Sequence, residues 1–481
     1  MSPFLIISVI VIYFGLLFLI SFFTSKNIDN EGFFLGNRRS PWYIVAFGML
    51  GASLSGVTFI SVPGWVQSSD MSYMQMILGY VLGYITIAHV LLPIYYKFNL
   101  TSIYTFLDYR FGFASYKTGA AFFILSRTIG SAFRLYIVAN VLQIMIFDAW
   151  NIPFYLTVII TIALIFLYTF KGGIKTIIWT DTLQTLFLLC AVIITIVIVS
   201  KDLGFNIIEL FGAITENEHS KIFIFDDWNS RHHFVKQFFA GAFITIVMTG
   251  LDQDMMQKNL SCRNIKDAQK NMISYGIAFL PANVLFLSLG VMLTIYAKNM
   301  KIPPELIQGD DLYPYLATHY LGPVVMIFFI LGLMASAYSS ADSTLTALTT
   351  SFTIDILGTK DKSEKIIKKL RKKVHILFSI ILALVIIIFK LIDNKSVIDV
   401  IFTVAGYTYG PLLGLYAFGL FSKIKVIDKL VPVIAIASPI VCLIINLLIK
   451  TYGSGYQMGY ELLLLNGFIT YVGLWVISKR E

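Results

Sequence analysis

Long apolar runs alternate with short charged loops along the chain. Thirteen of these runs approach the length of about 20 residues that a helix needs to cross the hydrocarbon core of a bilayer. They fall at 3–23, 41–66, 72–96, 118–147, 153–170, 176–200, 234–257, 271–297, 321–352, 374–390, 397–420, 430–449 and 459–478. Barrel strands are shorter and alternate apolar with polar positions. These runs do neither, so helices are the spanning structure open to them. The pattern predicts an all-α polytopic membrane protein with about 13 transmembrane helices. The first run has no basic segment ahead of it, is too long for the apolar region of a signal peptide and is followed by no clear small-x-small cleavage site. It therefore reads as a retained helix.

Composition agrees. The chain is 57% hydrophobic and 13% charged, where an average soluble domain carries about 25% charge. So little charge cannot wet a globule of 481 residues, which excludes a soluble enzyme, a disordered chain, a coiled coil and a collagen. The net charge of +9 would suggest nucleic acid in a soluble protein. In a membrane chain it points to lysine-rich cytoplasmic loops, and no nucleic-acid partner is expected.

The basic residues also predict sidedness. Of the 36 Lys and Arg, 25 fall in one set of alternate loops and 9 in the other; Arg127 and Arg134 lie inside a run. The larger set includes Arg38, Arg39, Lys97, Arg110, Lys171, Lys175, the Lys258–Lys270 loop and the stretch from Lys360 to Lys373. The positive-inside rule puts these loops in the cytoplasm, with the N-terminus outside and the C-terminus inside a cytoplasmic (inner) membrane. The loop at about 201–233, with Glu209, Glu216, Glu218, Asp226 and Asp227, suits the outer face. No Pro/Gly/Ser linker divides the chain, so 1–481 is expected to be one transmembrane domain.

Enzyme chemistry finds no foothold. Cys190, Cys262 and Cys442 are scattered and suggest neither a disulfide framework nor a zinc or CxxC site. The six histidines lack metal-ligand spacing. There is no GxSxG, HExxH, phosphate-binding loop or dinucleotide fingerprint.

The informative residues are polar groups inside the apolar runs, because lipid makes them expensive. In the second run, Gly51-Ala52-Ser53-Leu54-Ser55-Gly56-Val57-Thr58 precedes Pro63-Gly64. Such a segment either packs closely against a neighbouring helix or unwinds and frees carbonyls that a cation and a polar solute would satisfy. In the ninth run, Ser336, Ser339, Ser340 and Ser343 are spaced i, i+3, i+4, i+7, one stripe of hard oxygen donors on a helix face, with Asp342 beside it. Bonding of these hydroxyls back to their own helix is the alternative. Asp181, in Trp179-Thr180-Asp181, either caps its helix or points inward and needs a cation. Arg127 and Arg134 lie seven residues apart on roughly one face. Pairing with a protein carboxylate and recognition of an anionic solute are both open to them.

These clusters, in order, resemble the sodium:solute symporter family, whose members carry proline, glucose, sialic acid, iodide and vitamins. The likeness runs through Gly32-Phe33-Phe34-Leu35-Gly36-Asn37-Arg38-Arg39, Tyr109-Arg110-Phe111-Gly112, and Gly172-Gly173 followed by Trp179-Thr180-Asp181-Thr182-Leu183-Gln184. It continues through Gly250-Leu251-Asp252-Gln253-Asp254-Met255-Met256-Gln257-Lys258, where Lys stands for the family's Arg, to Gly406-Tyr407-Thr408-Tyr409-Gly410-Pro411.

The resemblance implies a LeuT-like core of two inverted five-helix repeats. These would occupy 41–200 and 234–420, with an extra helix and loop at 1–40 and two C-terminal helices at 421–481. It implies a common sodium site on the carbonyls of Gly51 and Leu54 with Ser336, Ser339 and Ser340. A second sodium site, present in some members, would fall on Asp181, Ser339, Asp342 and Ser343. Asp342 departs from the serine expected there, and could strengthen the site, take a proton or pair with an arginine. Ser53, Ser55, Thr58, Gln75, Arg127 and Arg134 are the implied solute contacts. The expected activity is sodium-coupled symport of a small solute by a monomer in the lipid bilayer, with Na+ as the coupling ion. A carboxylate-bearing solute is expected (sialic acid, a monocarboxylate or an amino acid); a sugar, a neutral solute or proton coupling are the alternatives. A membrane sensor on the same scaffold would be expected to carry an appended signalling domain.

Overall fold

The computed structural model describes residues 3–26, 28–359, 362–390, 397–452, 456 and 458–478. The first run forms α1 (Pro3–Thr24). The second is split in two, α2 (Trp42–Ser53) and α3 (Gly56–Ser69). Leu54 (φ −76°, ψ 63°) and Ser55 (φ −66°, ψ 175°) leave helical geometry between them. Serines there compete for backbone groups, and Gly56 and Pro63 further weaken a continuous helix. Helix α4 (Tyr73–Thr86) follows, then α5 (Phe113–Leu142) with both arginines.

The runs at 153–170 and 176–200 are expected as two helices with a loop. They form two helices, Phe154–Phe170 and Gly172–Asp202, which meet at a kink at Gly173 and are together labelled α6 (Phe154–Asp202). Gly173 has φ 53° and ψ −145°, a conformation nearly confined to glycine. A Cβ there would lie 2.5 Å from the carbonyl oxygen of Phe33, so the glycine also lets the segment around Phe33 press against the turn.

The seventh run is broken as well. Helix α7 (Phe234–Thr245) continues to Gly250; α8 (Gln253–Leu260) then departs at 65°. Helices α9 (Ile265–Asn299), α10 (Gly322–Ser351), α11 (Glu364–Phe389), α12 (Val397–Phe421), α13 (Val431–Tyr452) and α14 (Leu462–Val476) complete the chain.

Among the described residues, nine helices are long and apolar enough to cross a membrane, or ten with the bent pair counted as one span. Thirteen is not reached by that measure. Three shorter apolar helices, Trp42–Ser53, Phe154–Phe170 and Leu462–Val476, fall within further expected runs.

Burial separates centre from periphery. Every residue of α10 from Gly332 to Ser351 is buried. In α13, by contrast, burial reaches Val431, Ala435, Ser438 and Cys442, while Val433, Ile436, Ile440 and Leu447 are exposed. An apolar helix with an exposed apolar face suits contact with lipid. The serine-bearing helix α10 is the axis around which the others pack.

Candidate functional site

The break between α2 and α3 faces two helices. On one side, α6 comes so close that a Cβ at Gly51 would lie 2.0 Å from Thr185 Oγ1. The small residues therefore do serve close packing, and the helix unwinds as well. On the other side stands α10, whose Ser336 Oγ would lie 3.6 Å from a Cβ placed at Gly56. A helix leaves its last carbonyls without intrahelical donors, and Gly51 belongs to that final turn of α2.

The serine stripe meets this break. Ser336 Oγ donates to the Leu333 carbonyl at 2.8 Å, and Ser339 Oγ donates to Asp181 Oδ1 at 2.6 Å. Ser340 Oγ accepts from Arg134 Nη1 at 3.4 Å. A hydroxyl has one proton and two lone pairs. With their protons committed elsewhere, Ser336 and Ser339 keep oxygen lone pairs to offer. Back-bonding and cation binding are thus compatible here.

Asp181 points inward and caps nothing. It is fully buried, and Lys258 Nζ lies 2.7 Å from its Oδ2. Ser343 Oγ is 3.5 Å from the same oxygen. Asp342 is buried beside it, accepting from Tyr168 OH at 2.8 Å and from the Ser343 backbone N–H at 2.5 Å. Asp342 thus takes its hydrogen bonds from a tyrosine and a backbone amide, not from an arginine.

A cavity opens next to the first break. Ser53, Ser55, Thr58, Tyr73, Tyr275 and Arg134 line it, among others. Tyr275 OH lies 2.6 Å from Ser53 Oγ and accepts from Tyr84 OH at 2.9 Å.

The two arginines part company. Arg127 borders the cavity, but its guanidinium pairs with Asp254 and sits 3.7 Å from Asp252 Oδ2. Arg134 also borders the cavity, with Nη1 3.4 Å from Ser340 Oγ, and the Nε of both arginines is buried without a hydrogen-bond partner.

The expectation for Gln75 is corrected. It does not line this cavity. Its amide donates to the His232 carbonyl at 3.0 Å and its oxygen accepts from Ile224 N–H at 3.0 Å, so it ties the segment before α7 to α4.

Sequence reasoning did not single out Asp252, Asp254 and Lys258 as site residues. Asp252 and Asp254 fall at the end of the seventh apolar run, and Lys258 opens the loop expected after it. In the structure all eight residues of α8 are buried. A buried helix of Gln, Asp and Lys needs partners for its polar groups; several have them, although Asp254 Oδ1 and Gln257 Oε1 are buried without a hydrogen-bond partner. Gln253 donates to the Thr101 carbonyl, Gln257 to the Phe34 carbonyl and Thr350, and Asp252 accepts from Tyr409 OH at 2.5 Å. The signal available beforehand was the match of 250–258 to a family segment.

Two interrupted helices enclosing a polar cavity, packed against a helix bearing a hydroxyl stripe, define a multi-pass membrane transporter of LeuT-like fold. The chain belongs to the sodium:solute symporter family, whose model matches residues 33–426. It is accordingly a sodium-coupled symporter and not an enzyme. It is 25% identical over 410 residues to a sodium/sialic acid symporter of Aliivibrio fischeri, a match covering 84% of this chain and 80% of that one. It is 25% identical over 421 residues to another of Proteus mirabilis, covering 84% and 81%. A solved sodium-coupled sialic acid symporter, substrate-bound and outward-open, superposes with a TM-score of 0.83 at 21% identity, over 99% of both chains.

Proposed function

We propose that the solute is a small carboxylate-bearing molecule of the hydroxylated, sialic acid type, taken into the cell with sodium. The observation that carries this is the contrast between the arginines that border the cavity: Arg127 is answered by the carboxylates of Asp252 and Asp254, whereas the guanidinium of Arg134 meets the hydroxyl of Ser340. A guanidinium suits a carboxylate through paired N–H donors. Ser53, Ser55, Thr58 and Tyr275 add hydroxyls that suit a polyol more than a bare monocarboxylate. Two relatives named as sialic acid carriers support the same class.

Sodium is assigned to the carbonyls of Gly51 and Leu54 with the hydroxyls of Ser336, Ser339 and Ser340. The donor set suits a hard cation, since it is all oxygen and the protons of Ser336 and Ser339 are engaged elsewhere. Ser340 then stands between sodium and Arg134. Two cations so close repel in a dry site, and a carboxylate at Arg134 relieves that repulsion. Solute and sodium therefore raise each other's affinity by the same factor. The orientation is N-terminus outside, in the cytoplasmic membrane, with inverted repeats at 41–200 and 234–420 and the monomer as the working unit.

The test is a thermal-shift panel of sialic acid, monocarboxylates, amino acids and neutral sugars, in sodium and in choline. A ligand of the native state raises the melting temperature by mass action. Sialic acid should do so in sodium alone. Stabilisation by a neutral sugar instead removes the anion reading, and equal stabilisation in choline removes the sodium coupling.

A further inference from the structure

Three hydroxyls beside the first break are joined in a row. Tyr84 OH donates to Tyr275 OH at 2.9 Å, and Tyr275 OH lies 2.6 Å from Ser53 Oγ. Both phenols are buried, whereas Ser53 is half-buried and lines the cavity. The row draws on three elements: Tyr84 lies near the end of α4, Tyr275 on α9, and Ser53 closes α2. Gly276 makes the approach possible, because a Cβ there would lie 2.6 Å from Cδ2 of Tyr84. The two rings then meet edge to face, with centroids 4.7 Å apart.

Proton counting gives the row a direction. A hydroxyl has one proton to donate and two lone pairs. Tyr275 accepts from Tyr84, and its own proton goes to Ser53, since a phenol is more acidic than a serine hydroxyl and the stronger donor of the pair. Among the described residues Ser53 Oγ makes no hydrogen bond to its own helix, unlike Ser336 Oγ, which donates to the Leu333 carbonyl. The Ser53 proton is therefore left for the cavity, and hydrogen bonds in a chain strengthen one another. Thr249, past the end of α7, is the other hydroxyl beside Tyr275; a phenol proton sent that way would leave Ser53 without direction.

We propose that Tyr84 and Tyr275 are positioning residues that fix Ser53 as a hydrogen-bond donor to an oxygen of the solute. The proposal rests on the reading of this cavity as a sialic acid site. The group that Ser53 meets carries lone pairs: a carboxylate, carbonyl or hydroxyl oxygen.

The experiment measures the dissociation constant of radiolabelled sialic acid for purified protein in saturating sodium, over a double-mutant cycle. Tyr275→Phe should weaken binding about fivefold, as one neutral hydrogen bond is worth, and Ser53→Ala at least as much. In the Ser53→Ala background Tyr275→Phe should change it by less than about twofold, because no serine remains to orient. Tyr84→Phe removes only the first donor and should weaken binding about threefold, again only while Ser53 is present. A loss from Tyr275→Phe that persists with Ser53→Ala overturns the proposal, as does wild-type affinity in Tyr275→Phe. Should Tyr275→Phe fail to fold, Tyr84→Phe decides in the same cycle. Wild-type affinity in Ser53→Ala, or a wild type that binds no sialic acid, overturns the solute reading as well, an outcome distinct from a tyrosine that acts without Ser53.

Discussion

The two broken helices interrupt the membrane at the same kind of place and solve the resulting problem differently. The first break, at Leu54–Ser55, is bordered by hydroxyls: Ser53, Ser55, Thr58 and, across from them, Ser336 and Ser340. The second, at Leu251–Asp252, is held by charge. Asp252 and Asp254 meet Arg127, and Lys258 meets Asp181. Hydroxyls and carbonyls are neutral, so a cation drawn to them is free to leave. Fixed ion pairs leave nothing to exchange, and removing one partner strands a buried charge. One backbone device thus leaves neutral oxygen donors at one break and buried ion pairs at the other.

The sharpest way to break this comparison is Arg127→Gln. It leaves two buried carboxylates at the second break, and should cost about 3–5 kcal/mol of stability, read from unfolding in denaturant. A loss under about 1 kcal/mol would show that the joint is not held by charge.

At the kink of α6, Gly173→Ala tests a backbone interruption that uses neither device. Its strained conformation should cost about 1–3 kcal/mol with sodium affinity unchanged; altered sodium affinity would mean that this kink, too, belongs to the ion's path.

Ser340→Ala belongs to the first break. Sodium activation of uptake should weaken about tenfold, equivalent to about 1.4 kcal/mol, while the melting temperature in choline stays at its wild-type value. Undiminished sodium activation would detach Ser340 from the ion.

Arg134→Gln should abolish saturable uptake of the acid yet raise sodium affinity severalfold in its absence, because a nearby positive charge has gone. Weaker sodium binding would contradict the repulsion argued at Ser340. The smallest effect is expected at Gln75→Ala, whose solute KM should stay within about twofold, since a change below about 0.4 kcal/mol is all that is expected from a residue outside the cavity. A larger change would return Gln75 to the solute site.

Much of this was legible beforehand. Apolar runs mark where a chain can enter lipid, and a Gly-Ser-rich stretch inside one marks where it will unwind; both are local. The stripe Ser336, Ser339, Ser340 and Ser343 needed only helical spacing. What the sequence left open were partners. Arg127 and Arg134 have the same chemistry seven positions apart, and nothing local says which will be neutralised. Asp254 lies 127 positions from Arg127, and Lys258 lies 77 positions from Asp181. The two helices that meet at the Gly173 kink were legible because Lys171-Gly172-Gly173 and Lys175 interrupt the apolar run there.

The sequence by itself determined a helical membrane protein, its family and the place of the first break, because burial in lipid and helical periodicity act on neighbours along the chain. The tertiary structure alone decided that Arg127 pairs with carboxylates while Arg134 meets Ser340, that Gln75 bonds to His232 and Ile224, and that Asp181 pairs with Lys258. Those outcomes depend on which charges the fold brings within hydrogen-bond distance in a medium where an unpaired charge is not tolerated.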